Sequence, residues 1–284
     1  MKQILLAQNS GFCFGVKQAM EKTEREIEQK RCGKTTGALY TWGPLIHNRT
    51  VTDALQAQGV HIAAHLEEVA AADTLIVRSH GESKDFFAEA AGRGIHIVDA
   101  TCPFVKKIHG LVEEAYARGH QIVILGDAAH PEVRGINGWC ENTALVVHTA
   151  EEARRIHADN LFVVCQTTIR RELLDEVTAV FAAAGKKAQI HNTICNATTL
   201  RQNSCMKLAK MCDCFIVIGG HNSSNTQKLA EIAKKTCKKV YFIEKIEDLP
   251  LHKIAKYNKI GVAAGASTPE CVIKEVIATM SENI

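Results

Sequence analysis

The sequence predicts an α/β fold of three pseudo-threefold-related units, each with a parallel sheet. Two observations carry this. Short Val/Ile-rich runs alternate with amphipathic, Lys/Glu-rich stretches along all 284 residues. That is the rhythm of parallel strands covered by helices. In addition, Cys13, Cys102 and Cys195 lie 89 and 93 residues apart. Each sits in a polar turn after a strand-like run, with a helix following: "NSGFCFGVKQAM", "DATCPFVKKIHG" and "NTICNATTLRQN". The expected units are residues 14–97, residues 98–190, and residues 1–13 together with 191–284.

The elements follow in order. QILLA reads as a first strand that starts at once, since ILLA is shorter than a signal-peptide core of about 7–15 residues. Strands LYTWG, TLIVRS and HIVDA come next, with helices over 15–30 and 83–93. The middle of the chain gives strands QIVILGD, ALVVH, LFVVCQT and AQIHNTI, with helices over 104–118 and 169–184. Pro103 suits the first position of the helix after Cys102, and Asn-Ala-Thr-Thr opens the one after Cys195. The last part gives strands FIVIGG, VYFIE and IGVAAG, with helices over 196–211, 225–236 and 269–281. No Pro/Ser-rich linker separates these stretches.

Bulk properties narrow the function. The net charge of +3, from 34 basic and 31 acidic residues, is too small to argue for nucleic acid. No apolar run approaches the roughly 18 residues of a membrane span. A cytoplasmic protein is expected, and its eleven cysteines should then be thiols or metal ligands rather than disulfides. No CxxC pair occurs, which argues against a local zinc finger.

In open parallel sheets ligands bind beyond the carboxyl ends of the strands. The unusual polar stretches fall there: WGPLIHN, RSHG, DATCP, GDAAHPE, CQTT, NTIC, GGHNSSN and GAST. If the three units face one another by these ends, the stretches converge on one cavity. A thiolate at a helix N-terminus is stabilised by the dipole and the free amides. Three such thiolates, Cys13, Cys102 and Cys195, suit a [4Fe–4S] cluster with three cysteine ligands and one open iron. Zinc on three cysteines is the rival reading, and it lacks a clear fourth ligand. Cys165 reads as a buried strand residue, and Cys205, Cys212 and Cys271 as fillers of helix faces.

Around them, His47, His80 and His130 stand at strand ends. With Ser223, Ser224, Asn225 and Ser267 they form a neutral-to-cationic donor set fit for a diphosphate. Glu132 is the acid placed to donate protons if burial raises its pKa. Asp99 is expected to cap the helix after Cys102. Thr167 and Thr168 could orient a substrate hydroxyl or only finish a strand. His221 is expected only to turn its loop.

Nine stretches in order, GFCFGVKQAM, TWGPLIHN, VRSHG, DATCP, HPEV, CQTT, TICNATTLRQ, GGHNSSNT and AGASTPE, resemble the LytB family of 4-hydroxy-3-methylbut-2-enyl diphosphate reductases. The resemblance covers residues 11 to about 270. It implies a central [4Fe–4S] cluster on Cys13, Cys102 and Cys195. It implies reductive removal of an allylic hydroxyl, giving isopentenyl and dimethylallyl diphosphate, with electrons from a ferredoxin or flavodoxin. Glu132 would relay protons, with Thr167 near the hydroxyl. His47, His80, His130, Ser223, Ser224, Asn225 and Ser267 would hold the diphosphate, and His130 would also serve the proton path. The chain departs from the family pattern at Ala129, Ile136 and Cys271.

Overall fold

Runs of buried residues decide where the central strands lie. In the computed structural model, which describes residues 2–284, Leu161–Cys165 and Cys214–Ile218 are buried at every position. Strands covered on both faces read this way. In chain order the elements begin with β1 (Gln3–Leu6), α1 (Phe14–Arg31), β2 (Leu39–Trp42), α2 (Arg49–Ala57), β3 (Val60–Ala63), β4 (Thr74–Val77), α3 (Lys84–Gly92) and β5 (His96–Asp99). They continue with α4 (Pro103–Ala117), β6 (Gln121–Leu125), α5 (Pro131–Asn137), β7 (Leu145–Val147), α6 (Ala150–Arg154), β8 (Leu161–Cys165), α7 (Arg171–Ala183) and β9 (Ala188–Ile190). The last part holds α8 (Asn196–Ala209), β10 (Cys214–Ile218), α9 (Ser224–Thr236), β11 (Val240–Ile243), α10 (Leu251–Ile254), β12 (Lys259–Ala264) and α11 (Glu270–Asn283).

The strands form three parallel four-stranded sheets, ordered β3-β2-β4-β5, β7-β6-β8-β9 and β11-β10-β12-β1. The three orders are one topology. In the last sheet the fourth strand comes from the N-terminus. The expected strands are all present. β3 was not expected, because VHIA holds a histidine and lacks the long apolar run of its neighbours. The short helices α2, α5, α6 and α10 were also unforeseen.

The chain divides into two compact units. One comprises Met1–Val16, Ile46–Ala54 and Asn196–Ile284, and carries the β11-β10-β12-β1 sheet. On one face Ile216, Ile218 and Val262 pack with Val276 and Met280 of α11. On the other, Phe215, Val217 and Ala263 pack with Cys205 of α8 and Leu229 of α9. The second unit comprises Lys17–Leu45 and Leu55–Cys195 and carries the other two sheets. There α4 leaves β5 and buries Ile108 and Val112 on Ile122, Ile124 and Val164 of the β7-β6-β8-β9 sheet. Each aliphatic side chain so buried stabilises by about 1.5–3 kcal/mol.

Candidate functional site

Cys13, Cys102 and Cys195 each stand immediately before a helix, α1, α4 and α8 respectively. Each follows an edge strand, β1, β5 and β9. Their backbone amides are held alike. Cys13 N donates to Ala266 O at 3.1 Å, Cys102 N to Ser79 O at 3.0 Å, and Cys195 N to Thr167 O at 3.1 Å. Every acceptor lies two residues beyond the adjoining strand, β12, β4 or β8. All three side chains are half-buried, whereas Cys140, Cys165, Cys205, Cys214 and Cys237 are buried. Burial pushes the thiols of Cys165, Cys205 and Cys214 up to about 12, so these remain protonated and do not compete as soft ligands. Soft thiols on open helix starts fit an iron–sulfur cluster.

In the second unit, α5 opens with Pro131 and is capped by His130, whose Nδ1 accepts from Glu132 N at 3.1 Å. Nδ1 is therefore unprotonated and Nε2 carries the ring proton. The cap turns Glu132 inward, where it is 3% exposed. Its carboxylate accepts from Thr167 N at 2.6 Å and from Thr167 Oγ1 at 2.7 Å. These bonds hold the pKa down, but burial outweighs them and pushes it up to about 6. Thr167 thus joins Glu132 to Cys195, while Thr168 pairs with Gln166 at 3.1 Å. The His80 ring meets His130 edge-on, centroids 5.3 Å apart.

In the first unit, the hydroxyl of Ser267 donates to His47 O at 3.2 Å. Gly220 approaches the same carbonyl so closely that a Cβ there would lie 2.3 Å from it. Ser223 caps α9, its Oγ accepting from Thr226 N. Ser224 and Asn225 form the first turn of that helix. Asn225 is 4% exposed, and neither its amide oxygen nor its nitrogen has a hydrogen-bond partner. An unsatisfied buried amide at a helix N-terminus is costly in isolation and suited to an oxyanion. His221 is exposed and leans on the Phe242 ring.

Some expectations need correction. Asp99 does not cap α4, whose N-cap is Cys102. It accepts from Thr101 N at 2.9 Å and pairs with Lys106 in the first turns of the helix. Cys212 lies in the turn after α8, and Cys271 is exposed on α11. Ile136, a departure from the family pattern, is fully buried among Val133, Ile122 and Val164. Sequence reasoning missed Gln166, whose Oε1 accepts from Asp127 N at 3.1 Å and ties the GDAAHPE loop to the QTT loop. It also missed Thr226, a buried hydroxyl without a partner. Its place in "SSNT" was visible, its burial was not.

Comparison with known proteins agrees with this geometry. The LytB protein family pattern matches residues 4–281. A relative from Alkaliphilus oremlandii, named 4-hydroxy-3-methylbut-2-enyl diphosphate reductase, is 45% identical over 97% of this chain and 98% of its own length. One of the same name from Clostridioides difficile is 40% identical over 99% of both chains. A solved structure of (E)-4-hydroxy-3-methyl-but-2-enyl diphosphate reductase, described as the terminal enzyme of the non-mevalonate pathway, aligns with a TM-score of 0.70 and 38% identity, covering 99% of this chain and 100% of that one. The Plasmodium falciparum E-1-hydroxy-2-methyl-but-2-enyl-4-diphosphate reductase aligns with a TM-score of 0.90 and 26% identity, covering 99% and 88%. The chain belongs to the LytB family of reductases.

Proposed function

We propose that the chain reduces (E)-4-hydroxy-3-methylbut-2-enyl diphosphate to isopentenyl and dimethylallyl diphosphate, the last step of the methylerythritol phosphate pathway. Cys13, Cys102 and Cys195 hold a [4Fe–4S] cluster with one open iron, and a cytoplasmic ferredoxin or flavodoxin supplies electrons. The observation that carries this reading is the shared seating of the three cysteines, each before a helix with its amide held two residues past a neighbouring strand. When bound, the cluster supplies single electrons and a Lewis-acidic iron.

The rest falls to side chains. The overall change is R–OH plus two electrons and two protons giving R–H and water. Glu132, protonated, donates to Thr167 Oγ1, which in turn donates to the leaving hydroxyl, so that the hydroxyl departs as water. In the structure Thr167 Oγ1 donates to the carboxylate across 2.7 Å, and this bond reverses its sense when Glu132 is protonated. Asn225, Ser223, Ser224 and Ser267 with His47, and His80 with His130, hold the diphosphate oxygens. Anchoring this group also protects it, because diphosphate is itself a good leaving group from an allylic carbon.

The test is anaerobic turnover of iron- and sulfide-reconstituted chain, with and without reduced methyl viologen. Products should form only with reductant. Glu132→Gln should abolish turnover while sparing the cluster's absorption. Product formation without reductant would point to a non-redox hydro-lyase and overturn the reading.

A further inference from the structure

Among the described residues, Arg201 is the one arginine or lysine that is buried, at 4% exposed. It stands in α8, six residues past Cys195. Side chains on a helix lean toward its N-terminus, and this one does so. Its Nη1 donates to Ala197 O at 3.2 Å, in the first turn of α8. Its Nη2 donates to Gly11 O at 2.9 Å, across 190 residues of sequence. Both of these acceptors are neutral, so neither bond cancels the charge of the guanidinium, which no accessible pH removes. The first turn of a helix is also its positive end, where a cation is disfavoured. Burying a charge there costs stability unless something negative lies near.

The Gly11 carbonyl belongs to the turn that ends at Cys13. Gly11 is buried, with φ +94°, a left-handed conformation that favours glycine. A Cβ there would lie 3.3 Å from Ile273 Cδ1. Ser10 secures the same turn, its Oγ accepting from Ala264 N at 3.2 Å and donating to Ala7 O at 2.8 Å. Cys13 N closes it on Ala266 O at 3.1 Å. Gly11 and Cys13 are two residues apart, at most about 8 Å between their Cα atoms. Within the first compact unit, Arg201 therefore fixes a positive charge on the backbone that carries one candidate ligand.

We propose that Arg201 is a positioning residue that raises the reduction potential of the iron–sulfur group held by Cys13. The proposal rests on the cluster reading above. Each electron taken up by a thiolate-bound cluster adds a negative charge, so a buried cation beside a ligand favours the reduced state. The bond to Gly11 O holds the turn as well, so charge and geometry have to be separated by experiment.

The test compares wild type with Arg201→Lys, Arg201→Met and Arg201→Gln after anaerobic reconstitution with iron and sulfide. Midpoint potentials are read by dye-mediated redox titration, followed by visible absorption and electron paramagnetic resonance. The titration is run at about pH 6.5, where a lysine beside an anionic group stays protonated. Arg201→Met and Arg201→Gln should each lower the potential by at least about 59 mV, a tenfold shift of a one-electron equilibrium. Arg201→Lys keeps the charge but loses the planar fork, and its equilibrium should stay within about threefold of wild type. Equal shifts in all three variants, or none in any, would overturn the proposal and leave Arg201 as a tie between two turns. Where the neutral variants take up no cluster, iron and sulfide content decides instead. Full loading of Arg201→Lys then supports the role of the charge, and loss of loading there as well overturns it. Wild type that takes up no iron would sink the cluster reading and this proposal with it, whereas a loaded wild type with unmoved variants sinks this proposal alone.

Discussion

At the scale of single residues, Glu132 is set by three competing effects. The amide and hydroxyl of Thr167 favour the carboxylate, burial favours the neutral acid, and burial prevails, raising the pKa from 4.5 to about 6. That gap corresponds to about 2 kcal/mol. Between pH 4.5 and 6 the folded chain keeps a proton that the unfolded chain has released, so stability falls as pH rises. The contribution is fully present below pH 4.5 and lost above about pH 6. In cluster-free protein, urea unfolding at stepped pH should show wild type losing about 2 kcal/mol relative to Glu132→Gln across this window. Other titrating groups cancel in the difference. A constant gap between the two proteins would mean that Glu132 titrates normally. The acid was legible in "HPE", but its pKa was not. It depends on α5 being held against the loop after β8, which no local pattern encodes.

At the scale of elements, two loops of the second unit interlock through glycines. A Cβ on Gly138 would lie 2.1 Å from Ser83 Cβ, and one on Gly135 would lie 3.2 Å from Gly81 O. Trp139 Nε1 then reaches Glu82 O at 3.0 Å and its ring stacks on His109. Burial pushes His109 down to about 4, so it packs as a neutral ring. The outcome is that RSHG and HPEV, 50 residues apart in sequence, bring His80 and His130 into ring contact. Gly138→Ala should therefore cost about 1–3 kcal/mol in denaturant unfolding and raise KM for substrate. Unchanged stability would show that the loops yield freely. The sequence revealed both motifs and α3, the helix that follows RSHG, because its apolar spacing is a local signal; α5, which follows HPEV, is seven residues long and too short to show that spacing. The sequence concealed the junction of the two motifs, because a glycine chosen for close approach reads the same as one chosen for a turn. β3 escaped for a similar reason: its pairing with β2 supplies the order that VHIA alone does not.

At the scale of the whole molecule, one sheet topology is used three times, and the third sheet takes its edge strand from the N-terminus. The 89- and 93-residue spacing of the cysteines made this repeat visible in advance. It falls out of the topology, since each cysteine follows the edge strand β1, β5 or β9 and begins the helix leading onward. The ligand set proposed here, drawn from three repeats, would have no local substitute: losing one thiol would leave two, with no neighbouring cysteine in any of the three turns. Metal binding to such a set is also folding energy, because ligands distant in the unfolded chain are gathered by the metal. Cys13→Ser, Cys102→Ser and Cys195→Ser should each lose cluster iron and sulfide after anaerobic reconstitution, and each should melt where cluster-free wild type melts. Cys32→Ser, on an exposed thiol beside Glu28, should retain full iron and the higher melting point of the loaded protein. Iron and sulfide analysis with thermal melts of the four variants decides it. A serine variant that keeps its iron would remove that cysteine from the ligand set, and two such variants would dissolve the three-repeat site altogether.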